Sequence, residues 1–400
     1  MLMQGLTYVI PLLVWPYLMR VLGAEKFGYI GFALAVNQYL MILVDFGFNL
    51  SATKRIALAE GNQEVINRVF SQTVWAKVLL MLLAAVVLCA VASVSRYAVY
   101  RPALFAFFSM VVGQVFTFVW LFQGRGKIRL VTIVNSVTKL VLLPLTFWWV
   151  KGPEHYGRAV VLLAMVYLVA ALITDGMVWK MRLARFVPTS WQDVKETLKD
   201  SFPLFLSQAA SSVYAMLFVV ILGYVALPEE VGRYAAAEKL MRISCVLLFA
   251  PIVQAFFPKV SQLAQDDKPE ACRMVKRLSV VGVGLMSVVF IVLFLGADFL
   301  VTLLGKDYLG MENITRIMSI VPLFVTLGGI MGQMGLLAVG NEQDKKVYRN
   351  IYLLAAGCSL VLVAVLVPIW KSIGAAWALL LTEGIVCVAM LLAYKRMKKR

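Results

Sequence analysis

The sequence is poor in charged residues and contains a single histidine. Charged side chains make up 15% of its 400 residues, against roughly 25% in soluble globular domains, and hydrophobic residues make up 62%. This composition argues against a water-soluble enzyme. The one histidine, His155, excludes a His-rich metal site and argues against a His-dependent catalytic triad.

Cysteine and acidic residues are also scarce. Four of the five cysteines lie in apolar runs and no two have C-x-x-C spacing, so we expect neither a disulfide framework nor a zinc site. The 21 acidic residues are outnumbered by 38 basic ones, which gives a net charge of +17. The basic residues lie between apolar runs rather than on a polar domain, and we therefore expect no nucleic-acid partner.

Long apolar runs dominate what remains. A bilayer core of about 30 Å requires roughly 20 apolar helical residues, and the runs are too continuous for the alternating strands of a membrane barrel. The sequence therefore predicts an all-α integral membrane protein with about twelve transmembrane helices. The expected spans are 1–22, 28–50, 70–93, 102–122, 130–150, 158–179, 202–226, 232–257, 279–304, 313–338, 348–369 and 372–394.

The Lys and Arg residues are distributed unequally between the two sets of connections. Alternate connections, beginning with 51–69 and ending with the tail, carry 24 of the 38 basic residues, and the opposite set carries 9. Cytoplasmic loops are enriched in Lys and Arg. Both termini are therefore predicted to lie in the cytoplasm.

The two halves of the chain share a short motif. Leu22-Gly-Ala-Glu-Lys-Phe-Gly28 resembles Ala226-Leu-Pro-Glu-Glu-Val-Gly232, and further matches occur at the same spacing of 204 residues. This spacing corresponds to six spans, so the halves are expected to insert in the same orientation, as parallel repeats do. We predict an N-terminal six-helix lobe (1–180), a cytoplasmic linker (181–201), a C-terminal six-helix lobe (202–394) and a basic tail (395–400).

Several charged residues interrupt the apolar spans. The eighth span contains Glu238, Lys239 and Arg242, and the fifth contains Lys139. Glu238 and Arg242 are spaced i,i+4 and can pair on one helix face. Because charges inside a span are costly and face protein or water, the positive charge in excess of nearby acids predicts an anionic ligand. Lys139, Lys239 and Arg242 are the candidate residues for binding a phosphate or diphosphate.

Other charged residues lie near the ends of the spans. Arg20 is expected at the outer end of the first span, and Lys54 and Arg55 at the inner end of the second. We consider these three residues candidate entry or gate charges, and Asp45 a candidate for gating or ion coupling. Membrane-interface snorkelling is the alternative explanation for the basic residues.

The motifs resemble those of a known family. Arg20-Val-Leu-Gly-Ala-Glu-Lys-Phe-Gly28 and Val44-Asp-Phe-Gly-Phe-Asn-Leu-Ser-Ala-Thr-Lys-Arg-Ile-Ala57 resemble the Wzx-type O-antigen flippases of the multidrug/oligosaccharidyl-lipid/polysaccharide exporter superfamily. The resemblance implies two parallel six-helix lobes around a central cavity, in the cytoplasmic (inner) membrane of a bacterium. It also implies a non-enzymatic flippase that moves an undecaprenyl-diphosphate-linked oligosaccharide from the inner to the outer leaflet of this membrane by alternating access. It further implies contacts with membrane lipids, and with a polysaccharide polymerase and chain-length machinery. No cofactor is expected, and coupling to a proton or sodium gradient stays open.

The aromatic residues of the spans are candidates for stacking on sugar rings, although anchoring at the membrane interface is the favoured explanation for them. They are Trp15, Tyr17, Trp120, Trp148, Trp149, Tyr214 and Phe218. A cation-coupled small-molecule or drug antiporter of the same superfamily is the alternative function, and it predicts acidic rather than basic residues in the cavity. A membrane glycosyltransferase or polymerase would require a large extramembrane loop, and no loop exceeds about 22 residues.

Overall fold

A computed structural model describes the backbone of residues 2–59 and 61–399, and the side chains of these residues outside 2–10, 207–208, 210–215 and 399. Every regular element within these residues is a helix, in agreement with the predicted all-α fold. The α-helices are α1 (Leu2–Asp45), α2 (Phe48–Ala57), α3 (Gln63–Ser93), α4 (Arg101–Phe116), α5 (Val119–Gly124), α6 (Ile128–Leu142), α7 (Leu145–Trp149), α8 (Tyr156–Lys180), α9 (Trp191–Val225), α10 (Pro228–Asp266), α11 (Lys268–Leu295), α12 (Ala297–Leu304), α13 (Met311–Met318), α14 (Val321–Gly329) and α15 (Glu342–Lys399). A π-helix covers Ile330–Val339, and 3₁₀ helices cover Ser95–Tyr100, Pro153–His155 and Lys306–Tyr308.

Helix α1 consists of two segments that meet at Gly23, which has a φ of 73°. The hydroxyl of Tyr17 donates to the carbonyl of Val150 just after α7 (2.6 Å), and the Phe32 ring stacks on Tyr100 just before α4 (centroids 4.2 Å apart). The connections before α4 and after α7 belong to the same end of the helices, because the chain crosses twice between them. Residues on both sides of Gly23 therefore lie at that end, and the chain reverses between them.

Helix α15 reverses in the same way. Its break is Lys371, whose φ of 48° is not helical. A Cβ placed on Gly374 would lie 2.0 Å from the carbonyl oxygen of Leu366. Eight residues of straight helix would separate these positions by about 12 Å. The segments before and after Lys371 are therefore two antiparallel helices, which agrees with the predicted boundary between the spans 348–369 and 372–394.

The number of helices agrees with a multi-pass membrane protein. Nine helical stretches within the described residues are long and apolar enough to cross a bilayer. Two of them, Pro11–Ala57 and Glu342–Lys398, contain the breaks at Gly23 and Lys371, so each provides two crossing segments. The apolar end of α9, Met216–Val225, brings the described part of the chain to the expected twelve. Several helices extend beyond their apolar runs: α11 begins at Lys268, well before the predicted start of its span at 279.

The chain divides into two compact units. Unit 1 comprises Met1–Leu22 and Phe32–Ser212, and unit 2 comprises Gly23–Gly31 and Val213–Arg400. The predicted lobe and linker bounds stay predictions. In unit 1, a hydrophobic cluster forms where α2, α3 and α5 pack together, and it includes Phe70, Phe118 and Trp120.

Unit 2 is built around α10, α11, α14, the π-helix and α15. Its hydrophobic cluster includes Val275, Ile330, Met334 and Met390, all of which are buried. The glycines of α14 and the π-helix allow side chains of neighbouring helices to approach their backbone closely. These close contacts fix the positions of α10 and α15 beside α14 and the π-helix, where a cavity is found.

The repeated motif forms a reciprocal contact within unit 2. A Cβ on Gly28 would lie 2.0 Å from the oxygen of Pro228, and a Cβ on Gly232 would lie 1.8 Å from the oxygen of Ala24. Ala24 and Pro228 are separated by the same 204 residues as Gly28 and Gly232. The two copies of the motif therefore pack on each other with approximate two-fold symmetry, and glycine is required where the backbones meet.

The segment after α8 is bound to α3 by side chains one helical turn apart. The backbone N–H of Arg185 donates to Asn67 Oδ1 (2.9 Å), and that of Val187 donates to Ser71 Oγ (2.8 Å). Residues 183–190 are not helical, and α9 then continues from Trp191 to Val225. Within the described backbone, residues 191–201 of the predicted linker and the predicted seventh span are therefore parts of one helix.

Candidate functional site: charged residues within the helices

Unit 2 contains a cavity of about 220 Å³ between α10, α14, the π-helix and α15. Helix α10 contributes residues spaced by one or two turns, because positions i, i+4 and i+8 share one helix face. The lining residues are Met241, Arg242, Cys245, Val246, Phe249, Val321, Phe324, Val325, Gly328, Gly329, Gln333, Tyr352, Leu379, Glu383 and Val386. The cavity is thus mostly apolar and has a few polar groups, which is typical of small-molecule sites.

Arg242 is the basic residue of this lining, and Glu238 binds it. Arg242 Nε donates to Glu238 Oε1 (2.8 Å), and Arg242 Nη2 lies 2.7 Å from the same oxygen. This contact confirms the predicted i,i+4 pair. Glu238 is buried, whereas the Arg242 side chain is 38% exposed. Glu383 of α15, which also lines the cavity, interacts electrostatically with Arg242.

The other two candidate diphosphate residues lie outside the cavity lining. Lys239 is half-buried on α10 and interacts electrostatically with both Glu238 and Arg242. Lys139 lies near the end of α6 in unit 1 and is half-buried, and its side chain makes no ion pair or hydrogen bond among the described residues. Lys239 and Arg242 thus share a helix in unit 2, and Lys139 belongs to unit 1.

Asp45 lies at the break between α1 and α2. Phe46 (φ 45°) and Gly47 (φ 77°) both have left-handed backbone conformations, and the chain turns there. The buried carboxylate of Asp45 accepts a hydrogen bond from Asn49 Nδ2 (2.5 Å), and its Oδ1 lies 3.9 Å from Lys77 Nζ. Lys77 is 1% exposed. The predicted gate residue Asp45 is therefore one partner of a buried ion pair, and the sequence did not indicate which residue is the other.

The three predicted gate cations differ in their surroundings. Arg20 and Lys54 are exposed. Arg55 Nη1 donates to Thr197 Oγ1 (3.1 Å), and Arg55 Nη2 donates to Gln72 Oε1 (2.8 Å). Arg55 therefore connects α2 to α3 and to the first turns of α9, all within unit 1.

The start of α9 has its own stabilising contacts. Ser190 Oγ and the Ser190 backbone N–H both donate to Asp193 Oδ2 (2.7 and 3.0 Å), and the Asp193 backbone N–H donates to Ser190 Oγ (3.2 Å). This reciprocal arrangement is a capping box. The two hydrogen bonds from Ser190 hold the pKa of the Asp193 carboxyl below its usual range, and the nearby Arg68 and Arg55 lower it further.

Of the aromatic residues singled out in the sequence, those with described side chains do not line the cavity. Trp120 and Phe218 are fully buried in packing, and Trp148 is exposed. The side chain of Tyr214 lies outside the described residues. The aromatic residues that do line the cavity are Phe249, Phe324 and Tyr352, which sequence reasoning missed. Their spacing from the charged residues on α10 and α15 is only a weak indication that they line the same cavity.

Comparison with known proteins identifies the family. A family model described as polysaccharide biosynthesis protein matches residues 1–264. The chain belongs to this family. A protein of Escherichia coli (strain K12) named "Putative O-antigen transporter" is 31% identical over 401 residues, which cover 99% of this chain and 95% of the relative. A protein of the same name from Shigella dysenteriae is 30% identical over 98% of each chain. Membership of the polysaccharide biosynthesis family agrees with the predicted resemblance to polysaccharide flippases.

Solved structures of membrane transporters share the fold. An inward-facing multidrug resistance MATE transporter of the MOP superfamily superposes with a TM-score of 0.74 at 15% identity, covering 98% of this chain and 95% of that one. The lipid II flippase MurJ in an inward closed conformation superposes with a TM-score of 0.80 at 12% identity, covering 98% and 87%. These likenesses confirm the predicted membrane transporter fold for this member of the family. Its relatives and structural neighbours are named as transporters and flippases rather than enzymes.

Proposed function

We propose that this protein is a flippase that moves an undecaprenyl-diphosphate-linked oligosaccharide, a precursor of O-antigen or a related polysaccharide, from the inner to the outer leaflet of the bacterial inner membrane. The observation that carries the proposal is the relative named for O-antigen transport, which aligns along 99% of this chain. The lipid-flippase fold supports it. Transport proceeds by alternating access, with both termini in the cytoplasm.

The diphosphate requires positive charge at membrane depth. We assign its contacts to Lys139, Lys239 and Arg242, each on a membrane-spanning helix. The two lysines act as point charges, and the guanidinium of Arg242 adds directional N–H donors. Lys139 supports this assignment most strongly, because among the described residues no carboxylate pairs with it. The coupling gradient, of protons or sodium, is part of the proposal, with Asp45 as the candidate coupling residue.

The rival function is a cation-coupled drug antiporter. Its binding site would offer carboxylates to a positively charged ligand. In unit 2 the Glu238 carboxylate is already bound by Arg242 at 2.7–2.8 Å, and Glu383 faces the same guanidinium electrostatically. A cationic ligand would have to displace Arg242 from Glu238, which favours the flippase.

The test is complementation of a strain that lacks the gene. We expect Lys239→Ala and Lys139→Ala to abolish surface polysaccharide and to cause lipid-linked precursor to accumulate, while the protein stays at its normal level in the membrane. Arg242→Lys is preferable to Arg242→Ala, because alanine would leave the buried Glu238 carboxylate without its partner. Lys180→Ala, at an exposed helix end, is the matched control and should complement fully.

Two results would contradict the proposal. One is full complementation by both lysine variants, which would remove them from the diphosphate contacts. The other is a deletion strain with normal surface polysaccharide and increased sensitivity to cationic drugs, which would favour the antiporter.

A further inference from the structure

A groove of about 320 Å³ lies between the two antiparallel segments of α15, at the end of the pair where this helix begins and ends. Apolar side chains form most of its walls, and they are Val347, Ile351, Ala389, Leu392, Ala393 and Met397. Ala389 and Ala393 are small and lie one helical turn apart, which leaves space between the segments. Arg396 follows Ala389 by seven positions in the lining, so the groove is about 10 Å long.

The groove opens toward the lipid. Val347 and Leu392 line it and are 41% and 52% exposed, although both are large apolar side chains in a stretch that is apolar enough to cross a bilayer. Deeper in the span, Leu354 and Ile385 lie seven residues from Val347 and Leu392 and share their helix faces. They are exposed as well. A continuous apolar surface of this kind contacts acyl chains in a membrane protein.

The groove ends at a positive charge. Arg396 lies four residues after Leu392, on the same helix face, and is exposed. Its side chain makes no ion pair or hydrogen bond within the part of the chain that the structure describes. Lys395 and Lys398 beside it, and Arg349 on the other segment of α15, are exposed too. The guanidinium group of Arg396 is therefore available to a ligand in the groove.

The carboxylates in the first turn of α15 are already bound within the protein. Asp344, the acidic residue of the lining, is 6% exposed, and its Oδ2 accepts from the backbone N–H of Asn341 (3.0 Å). The Asp344 backbone N–H donates in return to Asn341 Oδ1 (3.0 Å), so the two residues cap the helix. Glu342 Oε1 accepts from Lys345 Nζ (2.7 Å). The remaining cations of α15 at this end exceed its carboxylates, which favours an anionic ligand.

We propose that this groove binds an anionic diacyl phospholipid, with the phosphate at Arg396 and one acyl chain between the segments of α15. An arginine binds a phosphate through paired N–H donors, and neighbouring lysines add positive charge. An acidic peptide would reach Arg396 from water but would not enter the span beside Ala389, about 10 Å deeper. The lipid belongs to the inner leaflet in the orientation given under the proposed function, whereas its chemical class does not depend on that orientation.

The experiment measures binding to the purified full-length protein by native mass spectrometry. The probes are phosphatidylglycerol, phosphatidylethanolamine with the same acyl chains, and glycerol 3-phosphate. We expect phosphatidylglycerol to bind about tenfold more tightly than the zwitterionic phosphatidylethanolamine, the gain from one charge-assisted hydrogen bond. Glycerol 3-phosphate should show no measurable binding, because it carries the phosphate without the acyl chains that the groove holds.

Two groove variants test the location. Arg396→Gln should reduce the tenfold preference for phosphatidylglycerol to less than about threefold. Leu392→Ala should weaken binding of both phospholipids about fourfold, the loss from about one methylene of apolar contact, and should keep the preference. Both side chains are exposed, so neither variant disturbs the core. Arg129→Gln is the matched control, because Arg129 is an exposed residue at the start of α6 in unit 1 and its replacement lowers the net charge equally. It should keep the full preference.

Three results would overturn the phospholipid site. The first is equal binding of the two phospholipids by the unmodified protein. The second is an equal loss of preference in Arg396→Gln and Arg129→Gln, which would attribute the preference to net charge rather than to the groove. The third is binding of glycerol 3-phosphate as tight as that of phosphatidylglycerol, which would mean an anion site without an acyl chain. None of these results bears on the complementation test of the proposed function.

Discussion

The contact between the repeated motifs predicts a specific stability effect. Alanine at Gly28 would place its Cβ 2.0 Å from the Pro228 oxygen, and alanine at Gly232 would place its Cβ 1.8 Å from the Ala24 oxygen. Each atom needs at least 3.0 Å, so either substitution forces the two segments apart by about 1 Å. Overpacking of this kind costs about 1–3 kcal/mol, and we expect each single variant to be destabilised by that amount.

The double variant gives the sharper result. Once the first alanine has separated the segments, much of the space that the Cβ of the second alanine needs is already available. The cost of Gly28→Ala combined with Gly232→Ala should therefore be smaller than the sum of the single costs, with a coupling energy of about 0.5–3 kcal/mol. The measurement is a thermal or denaturant unfolding curve of the purified protein in detergent for all four members of the cycle.

A matched control is available in the same unit. Gly284 lies inside α11, and a Cβ there would have no neighbour within 4 Å. Gly284→Ala should be neutral, or stabilising by up to about 1 kcal/mol, because alanine favours the helix. Additive costs in the double variant, or single costs no larger than that of Gly284→Ala, would refute the reciprocal packing.

Much of the fold could be predicted because membrane helices are specified by long apolar runs. The boundary near residue 371 and the pairing of Glu238 with Arg242 follow from local sequence alone, since both depend on neighbours within one or two turns. The end of α1 at Asp45 could not be predicted in this way. The apolar run continues to residue 50, and only the backbone conformations of Phe46 and Gly47 show that the helix has ended.

The polar and charged residues of the candidate site could be predicted from the sequence, but the aromatic residues that line the cavity could not. Glu383 and Gln333 are conspicuous because polar groups are rare within spans. Phe249, Phe324 and Tyr352 are not, because a helix that is apolar on all sides gives no periodicity that distinguishes a lipid-facing ring from a cavity-facing one. Which face points inward is decided by contacts between helices that are distant in sequence.

Three further predictions concern unit 1. Asp193→Asn should increase hydrogen exchange in the first turn of α9, because a neutral amide accepts the hydrogen bonds from Ser190 more weakly than the carboxylate does. Because hydrogen bonds lower the pKa of Asp193, the unmodified protein should lose this protection only as pH falls below about 4, through the lowered pKa. Arg55→Met removes the hydrogen bonds to Thr197 and Gln72 and should raise exchange throughout residues 191–199, whereas Lys54→Met should not. Asp45→Asn should destabilise the protein by about 3–5 kcal/mol, since it removes the charge that faces the buried Lys77.

The buried pair also allows a rescue that separates stability from transport. Replacing both partners, Asp45→Asn with Lys77→Met, removes the two charges together and should recover most of the stability lost in Asp45→Asn. If Asp45 takes part in gating or coupling, the stable double variant will still fail to restore surface polysaccharide in a deletion strain. Restored stability together with full complementation would mean that the pair only holds α1 against α3. A double variant less stable than Asp45→Asn would contradict the ion pair itself.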